Sequence, residues 1–262
     1  MAASGAGQDG IRVAAVLAAA VAQVAGSPLG SALAGRSVGA VSDETGSLIT
    51  PAGYAFTIWG VIFGGALAWA VYQALPAQRD RELHRRTGWP LAAAFAGNAA
   101  WEIAFPLIGV SVPLVPLVLL FCIVAATAVA WARLQDLPVE GLGRVLPAAV
   151  TGLLLGWVTV AAVVNAGQAG VALGAPASGT AAQLWAVVAL IAVALVACAL
   201  VLAARAAAGP FALAVVWGVL AVAVDGGPAP VVVAAVATAS AVVVALVVRT
   251  AVRRDPVTLL VG

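Results

Sequence analysis

Eight blocks of about twenty apolar residues, each broken by glycine, proline or an arginine cluster, divide this chain from end to end. Twenty residues at helical rise match the ~30 Å hydrocarbon thickness of a bilayer. Lipid offers the backbone no hydrogen bonds, so a block of this kind satisfies its own groups as a helix. Runs such as VVVAAVATASAVVVALVV (residues 231–248) lack the alternation that a membrane barrel strand needs. Composition removes the soluble option: 64% hydrophobic and 8% charged residues cannot cover a water-facing surface, where about a quarter are charged. An all-α integral membrane protein is expected, with spans at 11–33, 51–75, 88–109, 112–134, 145–171, 181–204, 207–224 and 228–249.

Arginine placement orients the set. All 12 cationic side chains are arginine, and with a cytoplasmic N-terminus only Arg36 falls outside. Arg12, Arg79, Arg81, Arg85, Arg86, Arg133, Arg144, Arg205, Arg249, Arg253 and Arg254 all fall inside. The expected localisation is therefore a multi-pass cell-membrane protein with both termini cytoplasmic. Arg12, an Ala/Val run and Ala32-Leu33-Ala34 also read as a signal peptide with a small-residue cleavage site. The other seven spans keep their orientation under either reading. The arginines belong to connections, so a net charge of +2 implies no nucleic-acid partner. Cys122 and Cys198 fall within apolar blocks and read as small core hydrophobes.

Trp69, Trp89, Trp131 and Trp185 lie near span ends, where an aromatic belt accounts for them. Trp59, Trp101, Trp157 and Trp217 lie deeper, where packing or a ligand must. Phe56, Trp59 and Phe63 form an aromatic stripe on the second span. Asn98, Trp101, Glu102 and Phe105 share helical spacing on the third, and Trp157, Ala161, Asn165 and Gln168 on the fifth. By helical rise Trp59, Asn98, Glu102 and Asn165 lie between mid-plane and outer surface. Flat aromatic faces with sparse polar groups suit a flat, largely apolar ligand. The same asparagines also serve as interhelical glue, and the tryptophans as core filler. Gly60-x-x-x-Gly64 and Gly152-x-x-x-Gly156 are read as packing detail.

The stretch TPAGYAFTIWGVIF (Thr50 to Phe63) resembles the start of the second helix in the translocator protein/tryptophan-rich sensory protein (TspO/MBR) family. Asn98-Ala-Ala-Trp101 is similar to its Asn-x-x-Trp, Ala130-Trp131 to the end of its fourth helix, and Trp157 with Asn165 to the Trp…Leu-Asn of its fifth. The resemblance covers residues 10–170 and implies a five-helix TspO-like bundle (residues 1–174). Three additional transmembrane helices and a short cytoplasmic tail (175–262) follow, and the site is expected to lie wholly in the first part. It also implies a sensory receptor for tetrapyrroles, with a pocket capped by the loop at 34–50. Ligand-binding residues carried over or sharing those faces are Phe56, Trp59, Phe63, Asn98, Trp101, Glu102, Trp157 and Asn165. No cofactor is required; porphyrin or haem is the expected ligand. The paired prolines of the family are reduced to Pro51, and the Leu/Val-Tyr-Arg/Lys sterol pattern is absent from the fifth span.

No catalytic triad, phosphate loop or metal-ligand spacing is present, and neither catalytic nor metal residues are expected. His84 reads as a solvated loop residue in the run Arg79–Arg86, which reads as a positive-inside anchor. A hydrophobic small molecule and membrane lipid are the expected partners, with a homodimer admitted. Proton-coupled transport is the alternative, because Glu102 is a carboxylate within a span. A porphyrin-degrading enzyme and an assembly factor rank below it. If Glu102 faces the pocket, anionic porphyrins should bind more tightly as it becomes protonated.

Overall fold

A computed structural model describes residues 2–137, 142–252 and 257. Arg253, Arg254, the side chain of Arg144 and the tail expected beyond them lie outside the described residues. The helices are α1 (Ala2–Ala34), α2 (Val38–Glu44), α3 (Ile58–Ala74), α4 (Glu82–Ile108), α5 (Leu114–Leu134), α6 (Leu142–Ala172), α7 (Gly179–Ala203), α8 (Ala208–Asp225) and α9 (Ala229–Val252). A short 3-10 helix, Gly53–Thr57, runs directly into α3. Eight of these segments are long and apolar enough to cross a membrane; α2 is the exception. Their outward faces carry Leu114, Val118, Phe121, Leu184, Leu195, Val233 and Val244, all exposed. An apolar face of that size is stable only against lipid. The protein is an all-α integral membrane protein.

Lipid tails are as apolar as leucine, so close backbone approach drives association between spans. Two seams show how. On α1, a Cβ at Gly26 would stand 3.1 Å from the Ala99 carbonyl oxygen, and one at Gly30 would overlap that of Glu102, so α1 lies hard against α4. On α6, a Cβ at Gly152 would stand 2.9 Å from the Ala207 oxygen, and one at Gly156 would overlap that of Phe211, so α8 lies hard against α6. Gly218 of α8 returns the contact, its missing Cβ filled by Val160 at 3.0 Å. Gly152-x-x-x-Gly156 is therefore a helix seam. Gly60-x-x-x-Gly64 is not, because nothing lies within 4 Å of either position.

Polar side chains tie the last three spans to α5 and to one another. Gln135, just past α5, accepts from the backbone N–H of Arg205 (2.7 Å) and Ala206 (3.0 Å) in the α7–α8 turn. Arg249 of α9 donates to the Ala204 carbonyl at 2.8 Å. Thr238 of α9 donates to the Leu190 carbonyl of α7 at 3.1 Å.

Three sequence expectations change. Trp69 and Trp131 are buried core residues rather than belt residues, whereas Trp89 and Trp185 are exposed at span ends. Cys122 faces outward on α5. The run Arg79–Arg86 is not wholly a loop, because α4 begins at Glu82 and carries His84 inward against Trp69 and Tyr72, with ring centroids 6.1 and 5.8 Å apart. Helical periodicity turns every third or fourth residue of that run toward the bundle.

Candidate functional site: an aromatic cluster beneath a helical cap

The second-span motif folds as a tight turn feeding a helix. Phe56 sits on the 3-10 helix, and Trp59 and Phe63 follow one turn apart on α3. The i, i+4 spacing stacks their rings at 5.2 Å with a 22° interplanar angle. Trp101 and Phe105 do the same on α4, at 4.9 Å and 14°. Trp59 then meets Trp101 at 6.4 Å, and Trp157 of α6 stands edge-on to Trp59 (5.9 Å) and to Phe56 (6.1 Å). Three helices and the turn before them thus meet in one ring cluster. Each such pair contributes about 0.5–1.5 kcal/mol beyond area burial.

The cluster borders a cavity of about 20 Å³, lined by Pro51, Phe56, Trp101, Phe105, Trp157 and polar groups of α2 and α6. That is room for one water molecule. Gln168 organises the polar side. It accepts from Asn165 Nδ2 at 3.0 Å and donates to Ser42 Oγ at 2.6 Å. Ser42 belongs to α2, whose first turn is capped by Ser37 Oγ accepting from the Ala40 N–H. The fifth-span stripe of Trp157, Ala161, Asn165 and Gln168 lines this cavity together. The loop expected as a cap carries a helix docked on that stripe.

The indole N–H groups of Trp59, Trp101 and Trp157 are all buried without a hydrogen-bond partner among the described residues. An unmet buried donor costs about 1–3 kcal/mol. Three of them meet in one ring cluster; the Trp69 indole, outside it, is also unpartnered among the described residues.

Asn98 and Glu102 go elsewhere. One helical step of about 100° separates Glu102 from Trp101, enough to turn the pair at 98 and 102 toward α1. Asn98 Nδ2 donates to Gln23 Oε1 at 3.5 Å, and the hydroxyl of Ser27 stands beside the Glu102 carboxyl. Both side chains are fully buried in the Gly26–Gly30 seam. Phe56, Trp101, Trp157 and Asn165 therefore line the cavity, Trp59 and Phe63 back it, and Asn98 and Glu102 do not reach it. Sequence reasoning missed Gln23, Ser27 and Ser42. Gly26-x-x-x-Gly30 was the available signal for the first two; nothing local marks Ser42.

Two larger spaces lie apart from the cluster. A crevice of about 330 Å³ between α6 and α7 is roofed by Ser47–Ile49 and is almost wholly apolar. A polar basin of about 380 Å³, lined by Gln8, Asp9, Arg12, Arg85 and Trp89, opens at the arginine-rich end.

Among known families, the profile described as TSPO-like protein matches residues 11–249. No curated protein and no solved structure matches the chain. The match runs past residue 170, where the recognisable motifs stop, and reaches into all eight spans. The chain belongs to the TSPO-like protein family, membrane proteins of the sensor, receptor or transporter kind.

Proposed function

We propose that this protein is a membrane receptor or sensor that takes a flat, largely apolar ligand, a porphyrin-type tetrapyrrole, among Trp59, Trp101 and Trp157. The observation that carries the reading is the meeting of three tryptophans from three helices, whose buried indole N–H groups have no partner among the described residues. A ring system bearing acceptors would supply partners for these donors and a further face for the rings to stack on. A pocket of about 20 Å³ is far smaller than a tetrapyrrole, so binding requires the rings to part and the segment from Ser37 to Thr57 to move with them. Family membership supports the receptor class. The arginine distribution supports a cell-membrane protein with both termini cytoplasmic and the cap facing outward.

The test is a titration of the purified protein with protoporphyrin IX, read by tryptophan quenching and visible absorbance. Trp157→Ala should weaken binding by the loss of one stacked ring, roughly 0.5–1.5 kcal/mol. Unchanged affinity in the Trp59→Ala, Trp101→Ala and Trp157→Ala variants would return the cluster to core packing. Proton-coupled transport is the second reading. It is favoured by Glu102, a fully buried carboxyl beside Ser27 and one turn from Asn98 and Gln23. Porphyrin uptake into proteoliposomes driven by a pH gradient would move the assignment to that class.

A further inference from the structure

The chain from Thr50 to Thr57 is the narrowest link in the site. Pro51 and Phe56 at its two ends line the cavity, so the backbone between them sets where both side chains stand. This backbone is held from outside the first five spans. Ala52 N–H donates to the Ala221 carbonyl of α8 at 3.0 Å. Trp217 Nε1, on the same helix, donates to the Ala55 carbonyl at 2.9 Å. Tyr54, between the two, meets the Trp217 ring edge-on at 5.4 Å and 88°.

Trp217 and Ala221 are one helical turn apart, so a single face of α8 presents a donor and an acceptor about 6 Å apart along the axis. The turn answers with an acceptor and a donor three residues apart. The match is reciprocal, and two bonds of this kind define both position and orientation. α8 can offer that face because Gly152, Gly156 and Gly218 bring it against α6, the helix that carries Trp157. One helix therefore braces the back of the site and clamps its entrance turn.

We propose that α8 is part of the frame of the ligand site, with Trp217 as a positioning residue that sets Pro51 and Phe56. The inference rests on the reading of the aromatic cluster as the ligand site, and it reassigns the last three spans from appendage to working part. Ligand affinity then depends on residues that never touch the ligand.

Two variants remove one bond each from opposite sides. Trp217→Phe keeps a ring against Tyr54 but deletes the donor. Ala52→Pro deletes the other donor at a residue whose φ of −51° a proline adopts. Trp185→Phe, on the exposed face of α7, is the control. Hydrogen–deuterium exchange of the ligand-free proteins is read over residues 50–57, and protoporphyrin IX affinity is measured on the same samples. Both variants should exchange faster in that segment alone and bind about three- to tenfold more weakly, the scale of one neutral hydrogen bond, with the control unchanged. Exchange equal to wild type in both variants overturns the clamp. Faster exchange with unchanged porphyrin affinity overturns the positioning role. A wild-type protein that binds no protoporphyrin overturns the ligand reading instead, while the exchange arm still decides the clamp.

Discussion

The two ends of this bundle bury different polar groups, charges at one and indoles at the other. At the arginine-rich end, Arg12 is only 2% exposed yet donates to Gln73 Oε1 at 2.6 Å, to the His84 carbonyl at 3.0 Å, and to Asp9 and the Arg79 carbonyl. Asp9 in turn receives the fork of Arg85 through Nε and Nη2. Asp9 thus serves two guanidinium groups, and a basin of about 380 Å³ opens beside it, while Arg12 Nε, Gln73 Nε2, both His84 ring nitrogens and Trp69 Nε1 have no partner among the described residues. At the capped end, the indoles of Trp59, Trp101 and Trp157 have no hydrogen-bond partner among the described residues, and the space beside them holds about 20 Å³. Buried charges persist in a protein when they are paired. The first end is organised by an ion pair and the second by stacked rings.

That contrast is open to attack, and the largest effect is expected at the arginine-rich end. Asp9→Ala leaves Arg12 buried without its carboxylate and should cost about 3–5 kcal/mol of stability. Thermal unfolding in detergent reads this, and protoporphyrin affinity per folded molecule should be unchanged. A loss below about 1 kcal/mol would mean that the ion pair is solvated and the contrast false.

A smaller effect separates the two glycine patterns. Gly156→Ala pushes a methyl into the Phe211 backbone and should cost about 1–3 kcal/mol by overpacking. Gly60→Ala points into open space and should be neutral or stabilise by up to about 1 kcal/mol, the ordinary helix gain. Equal melting shifts for the two would show that the α6–α8 seam is looser than its geometry.

The smallest effect is expected at Glu102. Its carboxyl faces Ser27 and α1, away from the cavity. Wild type and Glu102→Gln should therefore share one pH profile of protoporphyrin binding. A profile that steepens as pH falls in the wild type and flattens in Glu102→Gln would return Glu102 to the site, because protonation would then remove repulsion of the propionates.

Much of the site was readable from spacing. The stripe from Trp157 to Gln168 lines one cavity because positions i, i+4, i+8 and i+11 stay on one helical face whatever packs against it. The rings at 59 and 63, and at 101 and 105, stack for the same reason. Reading failed where one face had to be divided between two neighbours. Positions 98, 101, 102 and 105 fall within a broad arc, and no pattern within α4 says where the arc toward α1 ends and the arc toward α3 begins. The glycines on α1 settle it by drawing α1 onto residues 99 and 102.

From its sequence alone, this chain was bound to be a set of membrane helices with aromatic stripes at one depth. Segment length, hydropathy and the 3.6-residue repeat are local properties, and lipid leaves an apolar backbone no other course. Partnership is a different matter. That Trp217 reaches back 162 residues to the Ala55 carbonyl, that Gln168 holds Ser42, and that His84 turns inward are relations between distant segments. They arise only when glycine seams set how close two helices come, and a missing side chain reveals its purpose only once the neighbour that fills its place is in view.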